Sequence, residues 1–549
     1  MTPSNYRQAP DYAEEPADEL ELEFIHGYRA HDCRRNLFYI GDEKDTSELV
    51  YHAAATGIVY TRKTNKQRFF LGHDDDIISL ALHPDGRHVA TGQVGRDPAI
   101  YVWDAKTMEQ KAKLVGFHKR GVPAVAFSPD GKYIASVGLD DEHSVALWDW
   151  QKGKKVSSDK GDGNRIFAID FNPYDPNQFV TTGAKHIKFW TISGGKISGK
   201  KGSYGTKKGI SQQKAIHCIV WTDASTALTG TTDGDIYMWG GGSASTAIKA
   251  HKGPCFALAK TKDGGVVSGG KDGRVIVFDK SMKQQQVTDL TKQLSQSPTL
   301  CVGGTAVVRS LFCRGTKILA GTMSSQIVEV DGDRATVLLQ GHAASGTFRG
   351  KTAEYQGEIW GLAMHPNQQK NQYATSHDDK TLRLWDTSTR RMIALASLKA
   401  PGRSVAYSPD GKHIAVGLFD GGVQIFDSNS MANLGEFVAE HKGIAKEEIG
   451  EIKYSPDGSM LAVGSHDNLV HVYDVKNRYK KIGICKGHSS YITHLDWSVD
   501  SAYMQTNCGA YEILFWDMRA RPPSQITRSG SLKDVQWATY TCVIGWSVQ

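Results

Sequence analysis

One pattern constrains this chain more tightly than its length does. A short apolar run that closes on an aromatic–Asp dipeptide, or on a relative of it, returns every 40 to 55 residues or so. It reads IYVWD to Asp104, VALWD to Asp149, IKFW to Trp190, IYMW to Trp239, VIVFD to Asp279 and IVEVD to Asp331. It continues as LRLWD to Asp386, VQIFD to Asp427, VHVYD to Asp474 and ILFWD to Asp517. Gly-His dipeptides or lone histidines fall between the closures: Gly72–His73, His118, His251, Gly341–His342, His441 and Gly487–His488. Turn signals such as HPDG at 83–86, SPDG at 128–131 and KDGR at 271–274 separate the alternating apolar segments. Such turns join antiparallel strands.

This period is that of four-stranded repeats of the WD40 type. One four-stranded sheet cannot bury both faces alone, so several must pack radially around a channel. The expected fold is all-β: tandem WD40-type β-propellers, a seven-bladed first ring and a second ring incomplete in this chain. Closures near Tyr60, Asp104, Asp149, Trp190, Trp239, Asp279 and Asp331 give the first ring. Residues 1–19 read as a disordered acidic tail, 20–335 as the first propeller, and 336–549 as the second, with a short linker near 335–355. Only four complete repeats fall in the second part, followed by DVQWATY and CVIGWSV. Four repeats leave a blade face and a strand edge uncovered, so the expectation is a longer natural chain or a partner over the gap.

Within a repeat, the His, Ser/Thr, Asp and Trp positions suit a buried polar tetrad that orients the blade. In one repeat these are His73, Thr91, Asp97 and Trp103, and Trp148 takes the same place in the next. In the repeat ending at Asp386 they are Thr375, Asp379 and Trp385, with Gln356 or a neighbour where His belongs. Because the sets recur once per blade, they read as structural rather than catalytic. No G-x-S-x-G or H-E-x-x-H occurs, and an enzyme is not expected.

High Gly with low Pro, 57 against 17, fits many tight turns. A net charge of +6 argues against a nucleic-acid partner with a large basic field. Eight scattered cysteines without C-x-x-C spacing read as reduced, buried thiols rather than metal ligands. The N-terminus is polar and acidic, and no stretch reaches the ~18 apolar residues that would span a bilayer. No cofactor, metal or membrane partner is expected, and the expected compartment is intracellular.

Residues 20–40, LELEFIHGYRAHDCRRNLFYI, resemble the hydrophobic motif that opens the propeller region of echinoderm microtubule-associated protein-like proteins. Leu22, Phe24, Gly27, Tyr28, Arg29, Asp32, Cys33, Arg34, Asn36 and Leu37 carry the match. FFLGHDDDIISLALHPD (69–85), ASVGLDDEHSVALWDW (135–150), HIKFWTISG (186–194) and WATYTC (537–542) are similar to that family as well. The similarity is to the subgroup without an N-terminal coiled coil. It implies two atypical propellers in tandem, the motif folded into the first, and a scaffold on tubulin and microtubules. Cytoplasmic microtubules and the axoneme of a cilium or flagellum, with its other bound proteins, both fit. For Leu22, Phe24 and Ile25, set among strand-like residues, the expectation is burial rather than tubulin contact.

Three sequences compete as sites. The run 191–209 carries Lys196, Lys200, Lys201, Lys207 and Lys208 without an acidic residue. It reads as a mobile basic loop at the rim, either solvated and partnerless or a salt-dependent contact for acidic tubulin. Its GGKISGKK fails as a phosphate loop, because Lys stands where Ser or Thr must follow and no helix is expected after it. Trp516–Asp517–Met518–Arg519 resembles the WDxR docking sequence of cullin-ring ubiquitin-ligase substrate receptors, which supplies the alternative function. The basic stretches 151–155 and 476–481 read as guards on fourth strands or as further microtubule contacts.

Overall fold

A computed structural model describes residues 4, 18–205, 209–211, 214–296, 306–342, 357–440 and 446–544. The chain forms two compact units, Leu22–Gly341 and His342–Gln549 together with Met1–Glu21. Strands dominate, and the described residues hold one α-helix, Leu290–Leu294. Among the described residues no helix is long and apolar enough to cross a membrane.

In the first unit seven antiparallel sheets follow one another along the chain, at 38–70, 77–114, 124–159, 166–201, 216–249, 255–289 and 308–340. Each runs through four strands in sequence order, the innermost first. The second sheet adds a short pairing of Val94–Gly95 with Arg120–Gly121. Burial follows that order. In the second sheet Ile77–Leu82 and Ile100–Asp104 are almost wholly buried, whereas the outer strand Gln110–Leu114 is mostly exposed. The aromatic–Asp closures end third strands, so Trp103, Trp148, Trp190 and Trp239 lie inside the sheets, at most 3% exposed.

Apolar side chains between consecutive sheets hold the ring together. Leu80 and Trp103 of the second sheet pack with Val50 and Phe70 of the first, and Val102 packs with Val125 and Trp148 of the third. The series proceeds sheet by sheet to Val267 and Val275 against Val308 and Val328. The last cluster joins Leu319, Ile327 and Leu339 of the seventh sheet to Leu49, Tyr51 and Ile58 of the first. Every sheet therefore has two neighbours, and the seven-bladed ring is closed. The strand Arg334–Gln340 completes the seventh sheet, so the linker expected from 335 begins later.

Residues 22–37 contain no strand; they lie as an irregular segment over the joint between sheets seven and one. Gln67 holds both the amide and the carbonyl of Ile25, at 2.7 and 3.0 Å. The Arg29 amide donates to the His52 carbonyl (3.2 Å), the Asn36 amide to Ser310 Oγ (3.2 Å), and Cys33 Sγ to the Ile78 carbonyl (3.2 Å). Arg29 also pairs with Asp32 at 2.8 Å and Asp76 at 2.5 Å. Tyr28, Cys33, Asn36 and Leu37 are buried, whereas Leu22 is 42% exposed and Phe24 and Ile25 half-buried. The burial expected at Leu22 fails because the segment reaches the apolar cluster of sheets one and seven only from Phe24 onward.

The second unit contains four sheets of the same order, at 359–397, 402–438, 449–486 and 492–526. Three apolar clusters join them in series. After the fourth sheet, Trp537 bridges Ser498, and the amides of Thr541 and Cys542 donate to Asp496 at 3.0 and 2.9 Å.

Candidate functional site

The tetrads are hydrogen-bonded chains. His73 Nε2 lies 2.7 Å from Thr91 Oγ1, which accepts from Trp103 Nε1 at 3.1 Å. The fourth member is Gln93, 2.7 Å from His73 Nδ1, and Gln93 in turn donates to Asp74 at 2.5 Å. Asp97 does not belong to the set; it is exposed and pairs with Lys119 at 2.7 Å. Trp148 donates to Ser136 Oγ at 2.7 Å, beside His118. In the second unit His342 takes the place given to Gln356, which lies outside the described residues. His342 Nε2 is 2.8 Å from Thr375 Oγ1, its Nδ1 is 3.0 Å from Asp379, and Trp385 donates to Thr375 at 2.8 Å.

Of the three groupings with metal-ligand chemistry among the described residues, His342–His377–Asp379 belongs to the last of these sets, and in His488–Cys508–Glu512 the histidine lies 2.7 Å from Thr506 Oγ1, which also accepts from Trp516 at 2.8 Å. The third, His83–Asp85–His88, is the HPDG turn, where Asp85 accepts the amides of Arg87 and His88 at 2.8 and 3.0 Å. Burial lowers His73 to about 4 and, joined by Arg383, His342 to about 3, so both are neutral at physiological pH. A buried, neutral, fully engaged histidine orients its blade and offers nothing to a substrate.

The basic run has a different form from the one its composition suggested. Gly194 and Gly195 (φ +56° and +76°) turn the chain, and Lys196–Lys201 returns as the outer strand of the fourth sheet, paired from Ser193↔Lys196 to Lys188↔Lys201. It is a hairpin rather than a mobile loop, because Ile197 is buried against Phe171 and Trp190. A strand rather than a helix directly follows the glycines, so the phosphate-loop likeness ends there. Lys196, Lys200 and Lys201 are exposed, and Lys201 pairs with Asp162 at 3.1 Å. Lys207 and Lys208 lie outside the described residues.

One neighbour was invisible in the sequence. The outer strand of the third sheet, Lys154–Asp159, runs beside this hairpin, and the Ile197 amide donates to Ser157 Oγ at 3.1 Å. The strand that begins in the stretch 151–155 thus lies beside the run 191–209, and Lys154, Lys155, Lys196 and Lys200 are all exposed on these two neighbouring outer strands. Lys155 Nζ sits 3.7 Å from the Phe117 ring centre. The signal for this contact was the shared position of both stretches just after a closure. The stretch 476–481 is in the second unit, where Tyr479 stacks on Phe437 and Lys481 donates to the Glu440 carbonyl at 2.6 Å.

The WDxR sequence is satisfied internally. Trp516 donates to Thr506 at 2.8 Å, and Arg519 folds back on Asp517 at 2.7 and 3.0 Å while covering the Tyr503 ring. The ligase-adaptor reading has no support.

Comparison with known proteins agrees with this architecture. The chain matches the family models for the echinoderm microtubule-associated protein first beta-propeller over residues 66–330 and second beta-propeller over 359–549. The HELP motif matches over 15–58. Echinoderm microtubule-associated protein-like 2 of Rattus norvegicus is 35% identical, with 98% of this chain and 81% of the relative covered. The 77 kDa echinoderm microtubule-associated protein of Lytechinus variegatus is 34% identical, over 97% of this chain and 77% of the relative. Echinoderm microtubule-associated protein-like 1 of Homo sapiens is 35% identical over 97% of this chain and 63% of the relative. On propellers, motif and near-full-length similarity together, this chain belongs to the echinoderm microtubule-associated protein family.

Proposed function

We propose that the protein is a non-enzymatic scaffold that binds tubulin in microtubules, with the basic edge of the third and fourth blades as one contact. The observation that carries the contact is the convergence of two separate lysine-rich stretches on adjacent outer strands. Lys154, Lys155, Lys196 and Lys200 are all exposed there. Tubulin is acidic, and exposed lysines on a firm strand pair attract it without a large ordering cost. Charges at such an edge are screened within about 8 Å at physiological ionic strength, so the contact weakens with salt. The site of action is then cytoplasmic microtubules or the axoneme of a cilium or flagellum.

The test is cosedimentation of the purified chain with microtubules across a salt series. The wild type is expected to leave the pellet as salt rises. The quadruple change Lys154→Gln, Lys155→Gln, Lys196→Gln and Lys200→Gln is expected to weaken binding at low salt and flatten the salt dependence. Equal pelleting of both proteins at every salt concentration removes this edge from the interface. No pelleting of the wild type at low salt removes the microtubule reading itself.

A further inference from the structure

Five inner strands of the first ring share one irregularity. Their pairing to the next strand steps from Ile77 to Ser79, Ile166 to Ala168, Ile216 to Cys218, Cys255 to Ala257 and Val308 to Ser310. Such a bulge re-aims the extra side chain. The residue before each step is at most 1% exposed, held in the core between sheets. The skipped residues, Ile78, Phe167, His217, Phe256 and Arg309, are thereby turned toward the ring axis.

Contacts between sheets agree with this placement. His217 stacks on Phe167 at 5.4 Å and meets Phe256 edge-on at 5.0 Å. Arg309 lies 4.5 Å from the Phe256 ring centre. Arg34, from the segment that precedes the first sheet, enters the same circle, 5.0 Å from Phe167 and 5.8 Å from Phe256.

Two guanidinium groups therefore share one aromatic ring, and among the described residues neither pairs with a carboxylate. Among the described residues Arg34 has one polar neighbour, His217 Nδ1 at 3.5 Å, and Arg309, 6% exposed, makes no hydrogen bond or ion pair. The Nε atoms of both are buried without a partner. Other arginines buried as deeply are paired: Arg383 with Asp379, and Arg403 with Asp378 and Glu448. The adjacent Arg35 holds Asp170 at 2.5 Å, and Asp32 is held by Arg29 at 2.8 Å, so neither acid is spare. Ring faces attract cations but accept none of these N–H groups in the manner of an oxygen, and a buried guanidinium such as Arg309 without an oxygen partner is strongly unfavourable.

We propose that the Arg34–Arg309 cage in the channel of the first ring binds an oxyanion, a carboxylate or phosphate group. Two guanidinium forks match the oxygens of such a group, and the half-buried rings of Phe167 and Phe256, with buried His217, leave the contact only partly open to water. The anion is either free or carried by an acidic peptide. This site is independent of the basic edge on the outer strands.

The experiment uses the full chain at constant ionic strength in chloride. Inorganic phosphate and a glutamate-rich peptide are titrated separately by calorimetry. Binding of one equivalent of either probe, at least ten-fold weaker in Arg309→Gln, is expected. Phosphate binding without peptide binding identifies a free anion, and tighter peptide binding identifies a carried carboxylate. Arg309→Lys keeps the charge without the fork and is also expected to bind more weakly. In the wild type, the His217 imidazole protons followed by NMR are expected to titrate at higher pH once a probe is bound. Burial, Arg34 and Arg309 otherwise hold His217 down at about 3. Failure of both probes to bind the wild type, or equal binding by Arg309→Gln, overturns the proposal.

Discussion

At the scale of single residues, hydrogen-bond satisfaction decides what each tetrad position can tolerate. Thr375 Oγ1 meets both His342 Nε2 and Trp385 Nε1 at 2.8 Å, so Thr375→Val keeps the shape and strands two buried groups. The expected cost is about 1–3 kcal/mol, read as a lower denaturation midpoint. An unchanged midpoint would show that these bonds do not stabilise the blade. A second expectation follows from buried histidines. Burial, aided by Arg29, holds His52 at about 3, and burial holds His73 at about 4. Below the unfolded value near 6.5, the unfolded chain takes up protons that the folded chain refuses. Their stabilising contribution is therefore complete above pH ~6.5 and declines toward pH ~4, by about 1.4 kcal/mol per pH unit for each histidine. Guanidinium midpoints at pH 7.5, 6 and 5 should fall in that order, and a flat series would contradict it. His73, Thr91 and Trp103 were legible because their spacing repeats in other blades. His342 was not, because the interval from it to Thr375 is 33 residues, against 18 from His73 to Thr91.

Elements were legible where apolar alternation was strong and illegible where pairing alone made the strand. The third strands announced themselves by their closures. Lys196–Lys201 did not: Lys, Ser and Gly are poor strand formers, and Ile197 is the one buried residue in it. The strand exists because Lys188–Ser193 offers a template and Ile197 fills the space beside Trp190. Ile197→Asp should therefore detach the outer strand while leaving the rest of the sheet paired. Hydrogen exchange is the measurement: amides bonded in the Lys196–Lys201 pairing are slow in the wild type and fast in the variant. Fast exchange already in the wild type would restore the loop reading.

For the whole molecule, the period fixed the number of sheets before Asp331, but it carried no information about how the first sheet meets the seventh. That joint depends on the segment 22–37, which has no regular structure and whose resemblance to a known motif was its visible signal. Tyr28 is the clearest member. It is 3% exposed, donates its hydroxyl to Asn36 on its own segment, and lies against Gly321 of the seventh sheet. A Cβ at Gly321 would stand 2.5 Å from the Tyr28 ring, closer than any real contact, and the ring is fixed by its neighbours Tyr51 and Asn36. Gly321→Ala must therefore displace Tyr28 and open the joint between sheets one and seven. Overpacking of this kind costs about 1–3 kcal/mol. Gly240→Ala is the control: it is also a strand glycine of this ring, and its Cβ would meet nothing within 4 Å. The expected outcome in thermal denaturation is a clear fall in midpoint for Gly321→Ala and little change for Gly240→Ala. Equal behaviour of the two variants would mean that the segment 22–37 rests on a ring already closed without it.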